Sequence, residues 1–200
     1  MPRAEGTFIV LEGPDGAGTT KHSALLAEAL RKGGKEVVHT AEPTEGTVGT
    51  FIRSELKRAG SLSPAALQLL FCADRAEHVE TVIRPALAAG KTVVCDRYVT
   101  STIVYGQVTG VDPRWLVSVN AAFPEPDMII LTLPGTDVCL ERMRRRTSRD
   151  AFESEEMLRR VYAIYERMAK QNSSFKVVDT SQDLQKSHEQ VLSLAERMGA

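Results

Sequence analysis

Short apolar runs alternate with longer segments of helical periodicity along the whole chain. The runs are four to six residues long and rich in β-branched and aliphatic side chains, which is typical of strands. The predicted strands are Thr7–Leu11, Lys35–Val38, Thr92–Cys95, Met128–Leu133 and Phe175–Val178. Between them, apolar residues recur every three or four positions, which predicts helices. This alternation indicates a layered α/β fold with a parallel sheet.

The predicted helices have recognisable ends. Ser63 is the expected N-cap of one helix, Pro64 is its first residue, and Gly90 stops the long segment that follows. The predicted helices are Thr19–Arg31, Val48–Ala59, Pro64–Ala89, Ser101–Gln107, Pro113–Phe123, Asp137–Arg146, Glu155–Gln171 and Gln182–Met198. No linker or repeat divides the sequence, so we expect a single domain over residues 1–200.

The residues that follow the predicted strands are candidates for a binding site, because ligands of open parallel sheets bind beyond the carboxyl ends of the strands. These residues are the groups 13–20, 42–43, 96–97 and 134–137. The first three groups are polar or compatible with phosphate. We therefore expect these three to meet in one crevice.

The group 13–20 is a glycine-rich loop between a predicted strand and a predicted helix. In this setting backbone N–H groups can converge on a phosphate, and the helix N-terminus adds partial positive charge. The spacing from Gly13 to Gly18 and Thr20 fits the phosphate-loop pattern GxxxxGK[ST], except that Thr19 stands where lysine is expected. A glycine turn without a ligand is the alternative, which the flanking strand and helix disfavour.

Two side chains of this loop suggest further roles. Thr20 opens the helix, where its hydroxyl can ligate Mg²⁺ or simply cap the helix, and we favour the metal role. The charge of Asp15 should repel a phosphate. Its carboxylate is therefore expected to reach outward to a sugar hydroxyl or to a metal.

Asp96 and Arg97 follow the predicted strand Thr92–Cys95. A carboxylate at a strand end beside a phosphate loop can hold the hydration shell of Mg²⁺. The guanidinium next to it can bind a phosphate through two parallel hydrogen bonds. An ordinary structural Asp–Arg pair is the alternative.

Phe71 and Arg75 are four residues apart and lie on one face of a predicted helix. The ring could stack on a base while the guanidinium bonds the edge of that base. A core phenylalanine with a surface arginine explains the spacing equally well.

A cluster of five arginines occupies eight positions near residue 145. Its members are Arg142, Arg144, Arg145, Arg146 and Arg149. Basic residues at a helix end can complement the helix dipole, which is the alternative explanation. Five exceed that need, so we favour a lid that closes over a nucleotide and neutralises charge in a phosphoryl-transfer transition state.

Composition narrows the possible partners and the cellular location of the protein. The 200 residues are 42% apolar and 26% charged with a formal net charge of −1, which gives no reason to expect a nucleic-acid-binding surface. There is no apolar run of membrane-spanning length and no signal peptide, so no membrane association and a cytoplasmic location are expected. Cys72, Cys95 and Cys139 lack metal-ligand spacing and are predicted to be buried thiols.

These groups together resemble the thymidylate kinases, a family of the nucleoside monophosphate kinase group of P-loop proteins. The resemblance covers nearly the whole length, and its most specific patterns are LFxADR and GKxVxxDRYxxS. The matching segments are FIVLEGPDGAG (8–18), AEPTEGTVGTFIR (41–53), LLFCADRAEH (69–78), IRPALAAGKTVVCDRYVTSTIVYGQ (83–107), PDMIILTL (126–133), RDAFE (149–153), RVYAIYERMAK (160–170) and KVVDTS (176–181).

The resemblance implies a three-layer α/β/α P-loop NTPase fold with a five-stranded parallel sheet flanked by helices. It also implies a homodimer, a flexible lid at about 142–153 and the reaction of ATP with dTMP to give ADP and dTDP. Mg²⁺ would be held by Thr20 and Asp96. The residues that would hold the ATP phosphates are Gly13, Pro14, Asp15, Gly16, Ala17, Gly18, Thr19 and Thr20.

By matching positions, the resemblance also implies how dTMP would bind. Arg97 would bind the acceptor phosphate, with Arg53 as a further contact, and Asp15 would bind the 3′-hydroxyl. Phe71 would stack on thymine and Arg75 would contact the base edge.

Four further residues would complete the nucleoside pocket. Pro43 would pack beside the base, and Ser101, Thr102 and Tyr105 would line the pocket, with Tyr105 near C2′, where it disfavours a ribose hydroxyl. Because Ala17 stands where one branch of the family has a loop arginine, the chain is similar to the branch whose catalytic arginine is in the lid. The residues assigned to catalysis are Asp15, Arg97, Arg145 and Arg149.

Two positions depart from the family pattern. Thr19 replaces the loop lysine, and Ala41 replaces the arginine usually found before Glu-Pro. Either a lid arginine supplies the missing charge, or Lys21 reaches back through a distorted first helical turn, or activity is low. A kinase acting on another deoxynucleotide or nucleoside, and a nucleotide-binding protein with impaired catalysis, are the alternative functions.

Overall fold

The computed structural model describes residues 6–58, 62–145 and 154–199. Five strands form one sheet in the order β2-β3-β1-β4-β5, and all neighbouring strands are parallel. The strands are β1 (Phe8–Glu12), β2 (Val37–Ala41), β3 (Thr92–Asp96), β4 (Met128–Thr132) and β5 (Phe175–Val178). The helices are α1 (Thr19–Lys32), α2 (Thr47–Lys57), α3 (Pro64–His78), α4 (Arg84–Ala88), α5 (Val99–Val108), α6 (Pro113–Asn120), α7 (Thr136–Arg144), α8 (Glu155–Gln171) and α9 (Leu184–Arg197).

Helices cover both faces of the sheet. On one face, Ile9, Leu11 and Ile130 pack with apolar residues of α1 and α9. On the other face, Phe8 and Val10 pack against the segment from α3 to α4, while residues of α5 and α8 pack around the neighbouring strand β4. The alternation along β1 sends successive side chains to opposite helical layers. The prediction of a three-layer α/β/α fold with a five-stranded parallel sheet is confirmed.

The register of the sheet brings the strand ends to one level. Leu11 of β1 pairs with Asp96 of β3 and with Ile130 of β4, and Ala41 of β2 also pairs with Asp96. The loops that leave β1, β2 and β3 therefore start side by side at the carboxyl edge. This arrangement places three of the predicted polar groups together, as expected.

The second strand begins later than the apolar pattern predicts. Lys35 still belongs to the turn that ends α1, because its N–H donates to the Leu30 carbonyl at 3.1 Å and Gly34 has a left-handed φ of 87°. Glycine tolerates this conformation, which L-residues avoid. Pairing with β3 starts only at Val37.

The long predicted helix Pro64–Ala89 is interrupted. Its start is confirmed, since the Ser63 hydroxyl accepts a hydrogen bond from the Ala66 N–H at 3.3 Å. A π-helical turn at Val79–Ile83 separates α3 from α4. Pro85 explains the break, because it has no N–H to donate to the carbonyl four residues before it and its ring crowds that carbonyl.

Two smaller points complete the fold. All three cysteines are buried and unpaired with one another, as predicted. Across the described ranges, no helix is both long enough and apolar enough to span a membrane.

Candidate functional site

A cleft of about 270 Å³, here called the first cleft, opens at the carboxyl edge of the sheet. It contains the loop side chain of Asp15 and residues that follow β2 and β3, together with residues of α2, α3 and α5. All nine residues predicted to bind dTMP line it, namely Asp15, Pro43, Arg53, Phe71, Arg75, Arg97, Ser101, Thr102 and Tyr105. Both predicted metal ligands, Thr20 and Asp96, line it as well. The structure therefore brings this predicted set together.

A buried carboxylate fixes the base of the first cleft. Glu12, the last residue of β1, is fully buried and accepts hydrogen bonds from the Tyr98 N–H at 2.9 Å and the Ser101 N–H at 3.2 Å. Its other oxygen accepts from the Ser101 hydroxyl at 2.5 Å and the Tyr165 hydroxyl at 3.1 Å. Burial raises the pKa of Glu12, and the hydrogen bonds and the charge of Arg97 act in the opposite direction. The sequence reasoning assigned no role to this residue.

Arg97 is held in a special conformation at the end of β3. Its backbone φ is 68°, in the left-handed region that non-glycine residues rarely adopt. Its guanidinium donates to the Asp15 carboxylate at 2.7 Å, to the Gly13 carbonyl at 2.8 Å and to the Ser101 hydroxyl at 3.2 Å. Arg97 thus forms its hydrogen bonds with the phosphate loop and with Ser101.

The Tyr105 ring lies beside this ion pair. The centre of the Arg97 guanidinium is 5.6 Å from the ring centroid. Burial raises the pKa of the Tyr105 hydroxyl well above its ordinary range, with the Asp15 charge acting in the same direction. The phenol therefore stays neutral and presents a polar tip to the same corner of the cleft as Asp15.

Thr20 and Asp96 form the predicted metal position. The Thr20 hydroxyl donates to Asp96 Oδ2 at 2.5 Å, and Asp96 Oδ1 is buried without a hydrogen-bond partner among the described residues. An unsatisfied carboxylate oxygen beside a hydroxyl suits a hard cation or its bound water. No three His, Cys, Asp or Glu side chains of the described part cluster as a metal site. A cation here would therefore take most of its ligands from phosphate and water.

Arg75 is buried, with 1% of its surface exposed, so the alternative of a surface arginine is wrong. Its guanidinium donates to Glu42 Oε2 at 2.9 Å, to the Thr102 hydroxyl at 2.9 Å and to the Asn120 side-chain carbonyl. It also lies over the Tyr98 ring, 4.9 Å from the centroid. Arg75 is rigidly positioned in the cleft wall, and its contact with a base edge stays a prediction.

Glu42, which belongs to the predicted group 42–43, lines the first cleft, and Asp74 lies behind it; the sequence reasoning gave neither carboxylate a role of its own. Glu42 accepts from Arg75 and lies 3.0 Å from His78 Nδ1. Asp74 accepts from the N–H and the hydroxyl of Thr44 at 2.7 and 2.6 Å. Together they hold the loop after β2 against α3. A buried carboxylate is stable only when hydrogen-bond donors surround it. The donors for these two carboxylates come from distant parts of the chain, so the sequence alone did not reveal them.

The same loop is held from α2 by Arg53. Its guanidinium donates to the carbonyls of Pro43 and Thr44, each at 2.6 Å, and forms an ion pair with Glu45. These bonds place Pro43 in the cleft wall. Phe71 is half-buried, so part of its ring faces the cleft, while the neighbouring Gln68 is fully buried.

Two glycines of the phosphate loop adopt positive φ angles, which residues with a side chain rarely do. Gly16 and Gly18 have φ values of 81° and 91°, and a Cβ on Gly16 would come within 2.5 Å of the Cys139 carbonyl oxygen. The first turn of α1 is regular, because the His22 N–H donates to the Gly18 carbonyl at 3.0 Å. The distorted first turn considered for Lys21 is therefore not present in this structure. Thr19 is buried, with 4% of its surface exposed.

A second cleft of about 270 Å³ lies at the start of α1. It is formed by α1, α7 and the segment from β5 to α9. Its lining residues are Gly18, Lys21, His22, Arg142, Thr180, Gln182, Leu184 and Ser187. The phosphate loop thus borders two clefts, the first at Asp15 and Thr20 and the second at Gly18.

The described arginines of the cluster near residue 145 have different neighbours. Arg142 donates to the Gly16 carbonyl at 3.2 Å and to the Thr180 carbonyl at 2.6 Å, so it contacts the loop directly. Arg145 forms an ion pair with Glu141 on the exposed side of α7. Arg149, most of the predicted lid 142–153 and Arg146 lie outside the described residues. The catalytic roles of Arg145 and Arg149 stay predictions.

The fold and the loop define the class of protein. A glycine loop between the central strand of a parallel sheet and the helix that follows it, with an aspartate at the end of the neighbouring strand, is the arrangement of P-loop nucleotide-binding proteins. The second cleft beside the loop and the first cleft in front of it leave room for two ligands. Within this class, such a pair of sites suits transfer between two nucleotides.

Comparison with known proteins gives the family. The thymidylate kinase family model matches residues 11–191. The chain is 36% identical over 200 residues to a probable thymidylate kinase of Thermococcus kodakarensis, covering 96% of this chain and 98% of that protein. It is 38% identical over 196 residues to the Pyrococcus horikoshii protein of the same name, covering 94% and 95%. It is 39% identical over 204 residues to a thymidylate kinase of Pelotomaculum thermopropionicum, covering 97% and 94%.

The chain belongs to the thymidylate kinase family. It is therefore an enzyme of the nucleoside monophosphate kinase group, a phosphotransferase. The family resemblance inferred from the sequence motifs is confirmed.

His22, at the second cleft, gives a prediction about acid stability. Burial lowers its pKa to about 4, helped by the charges of His188 and Arg142, whereas an unfolded histidine titrates near 6.5. Between these values the unfolded chain binds a proton that the folded chain does not, so His22 destabilises the fold as pH falls. Relative to His22→Gln, we expect the wild type to lose about 1–2 kcal/mol of unfolding free energy from pH 7 to pH 5.

Urea unfolding of both proteins at the two pH values measures this difference. The glutamine variant retains a side chain that can bond the Ser187 hydroxyl, which now lies 3.3 Å from His22 Nε2. A stability difference that is the same at pH 7 and pH 5 would contradict the prediction.

Proposed function

We propose that this chain transfers the γ-phosphoryl group of ATP to dTMP, forming ADP and dTDP, in the presence of Mg²⁺ and in the cytoplasm. The observation that supports the substrate most strongly is the first cleft, where the cation of Arg97, the half-buried ring of Phe71 and the guanidinium of Arg75 line one cavity. These groups match a phosphate, the face of a base and the edge of a base, respectively.

In this reaction an oxygen of the acceptor phosphate bonds to the γ-phosphorus as the bond to the β,γ-bridging oxygen breaks. Arg97 binds the acceptor phosphate and keeps it facing the loop. Asp15, already beside Arg97, accepts a hydrogen bond from the 3′-hydroxyl. The loop amides hold the donor phosphates in line with the acceptor.

Thr20 and Asp96 are the residues that would hold Mg²⁺. Asp96 Oδ1, which has no hydrogen-bond partner within the described ranges, and the bond that the Thr20 hydroxyl donates to Asp96 Oδ2 support this assignment. A bound Mg²⁺ would supply charge neutralisation for the donor phosphates.

Turnover with dTMP is the direct test of the function. In a coupled ADP-release assay with ATP and Mg²⁺, we expect activity with dTMP and at least about tenfold lower kcat/KM with dUMP, dCMP or thymidine. Greater activity with another acceptor would support the alternative of a different substrate. Binding of dTMP without any turnover would instead support a nucleotide-binding protein with impaired catalysis.

Removal of Arg97 should affect the two nucleotides differently. In Arg97→Ala the acceptor phosphate loses a charged hydrogen-bond donor, which corresponds to roughly 1.5–3 kcal/mol, or about 10- to 100-fold weaker dTMP binding. The Kd of ATP should rise by less than the Kd of dTMP, since the donor phosphates rest on the loop amides and the variant affects them only through the unpaired charge of Asp15. Arg114→Ala, which removes a side chain whose partner is the exposed Asp112, is the matched control. Equal losses for both nucleotides would show that Arg97 is misassigned.

The homodimer of the family is also proposed for this chain. Phe51 of α2, Leu69 of α3 and Val117 of α6 are 45%, 48% and 53% exposed, and α3 packs against both other helices. Large apolar side chains exposed on neighbouring helices favour association.

Light scattering should therefore give twice the mass of the chain, and Leu69→Glu should shift the protein toward the monomer. Leu184→Glu is the control, because Leu184 is similarly exposed at 44% but lies on α9, which covers the opposite face of the sheet. A monomeric wild type at micromolar concentration would contradict this proposal.

A further inference from the structure

The first turn of α1 directs Thr20 and Lys21 to different sides of the phosphate loop. Successive helical residues are about 100° apart around the axis. Thr20 lines the first cleft and bonds Asp96, whereas Lys21 lines the second cleft together with Gly18. The lysine is thus in contact with the space beside the loop without any distortion of the helix.

The second cleft has positive charge on two of its walls. Lys21 comes from α1 and Arg142 from α7, and the described lining residues include neither aspartate nor glutamate. Arg142 is fixed, because its guanidinium donates to the carbonyls of Gly16 and Thr180. The Thr180 hydroxyl in turn donates to the Ala17 carbonyl at 2.6 Å, so this wall is tied to the loop.

Lys21 differs from Arg142 because its side chain is not held by neighbouring residues of the described part. It is exposed, and it forms no hydrogen bond or ion pair within the described part of the chain. Its charge acts weakly on Glu28, whose pKa is lowered mainly by the hydrogen bond from Lys32. An exposed lysine in a basic cleft is free to contact an anionic ligand, which Arg142 would attract as well.

A second feature of the cleft points to a ligand. His22 is 2% exposed, and its Nδ1 has no hydrogen-bond partner among the described residues, while Nε2 contacts the Ser187 hydroxyl. Buried polar atoms are usually bonded, and exceptions are often found where a ligand or water binds. The cleft therefore combines two cations with an unsatisfied polar group.

We propose that Lys21 binds the α- and β-phosphates of the donor nucleotide from the second cleft and so supplies the positive charge that position 19 lacks. This inference rests on the proposed function, in which the γ-phosphate faces the acceptor in the first cleft and the rest of the donor must lie on the other side of the loop. When the bond from the γ-phosphorus to the bridging oxygen breaks, negative charge grows on the β-phosphate. Lys21 neutralises it while remaining protonated, so no proton is transferred.

Substitution of Lys21 tests the assignment. For Lys21→Ala we expect the Kd of MgADP, measured by calorimetry, and the KM of ATP to rise about 10- to 100-fold, the usual effect of losing a hydrogen bond to a charged group. Lys21→Arg should retain most of the binding, because the charge is kept. The Kd of dTMP measured without donor should remain within about twofold. Lys32→Ala is the matched control, since Lys32 lies on the same helix, outside both clefts, and forms an ion pair with Glu28.

A double-mutant cycle with Thr19→Lys asks whether the two positions perform the same task. If Lys21 replaces the missing lysine, Thr19→Lys should improve MgADP binding at least tenfold in the Lys21→Ala background and less than about threefold in the wild type. Thermal unfolding of each variant verifies that the buried position 19 accommodates lysine.

Two outcomes would overturn the assignment. One is MgADP binding by Lys21→Ala that equals that of Lys32→Ala, and the other is an equal gain from Thr19→Lys in both backgrounds. Failure of the proposed function can be distinguished from failure of the Lys21 assignment, because MgADP binding does not require turnover. A wild type that binds MgADP through Lys21 but does not phosphorylate dTMP would contradict the function and support the assignment.

Discussion

The hydrogen bonds to the buried Glu12 carboxylate are the constraint on which the rest of the site depends. Glu12 ends β1 immediately before the phosphate loop, and its oxygens bond the backbone at Tyr98 and Ser101 and the Tyr165 hydroxyl. One side chain therefore connects the central strand, the beginning of α5 and helix α8. A carboxylate without water is stable only when such donors surround it. These bonds join the three elements beside the phosphate loop.

From this fixed point the loop separates two chemically different spaces. The first cleft holds paired charges, because Arg97 is bonded to Asp15 and Arg75 to Glu42. The second cleft is basic, with Lys21 and Arg142 on its walls. A paired environment can select a nucleoside by shape and hydrogen bonding, whereas an excess of positive charge favours a polyphosphate whatever its base. This asymmetry supports the proposal that dTMP binds in the first cleft and the donor nucleotide extends into the second.

The sequence predicted the sheet and part of the first cleft from local patterns, whereas Arg53, Ser101, Thr102 and Tyr105 were implied only by the family resemblance. Strand ends mark the binding edge of a parallel sheet, and that rule alone brought Asp15, Pro43 and Arg97 together. Features that depend on distant partners were missed. Glu12 was interpreted only as the end of a strand. The left-handed φ of Arg97 could not be predicted, because it occurs together with hydrogen bonds to residues distant in sequence, such as Asp15. The π-helical turn before Pro85 was overlooked although proline gave the clue.

The position of Asp15 shows why an acidic residue is compatible with an anion-binding loop. An isolated carboxylate there would repel the donor phosphates, but its oxygen lies 2.7 Å from the Arg97 guanidinium. The net charge of the pair is close to zero, so it repels the donor phosphates little. Both side chains are about one-fifth exposed and remain accessible to the acceptor. Arg97 can offer its remaining N–H groups to a phosphate while Asp15 keeps the guanidinium oriented. In the proposed mechanism the loop therefore carries Asp15 as a support for Arg97 on the acceptor side, and Lys21 supplies positive charge to the donor from the second cleft.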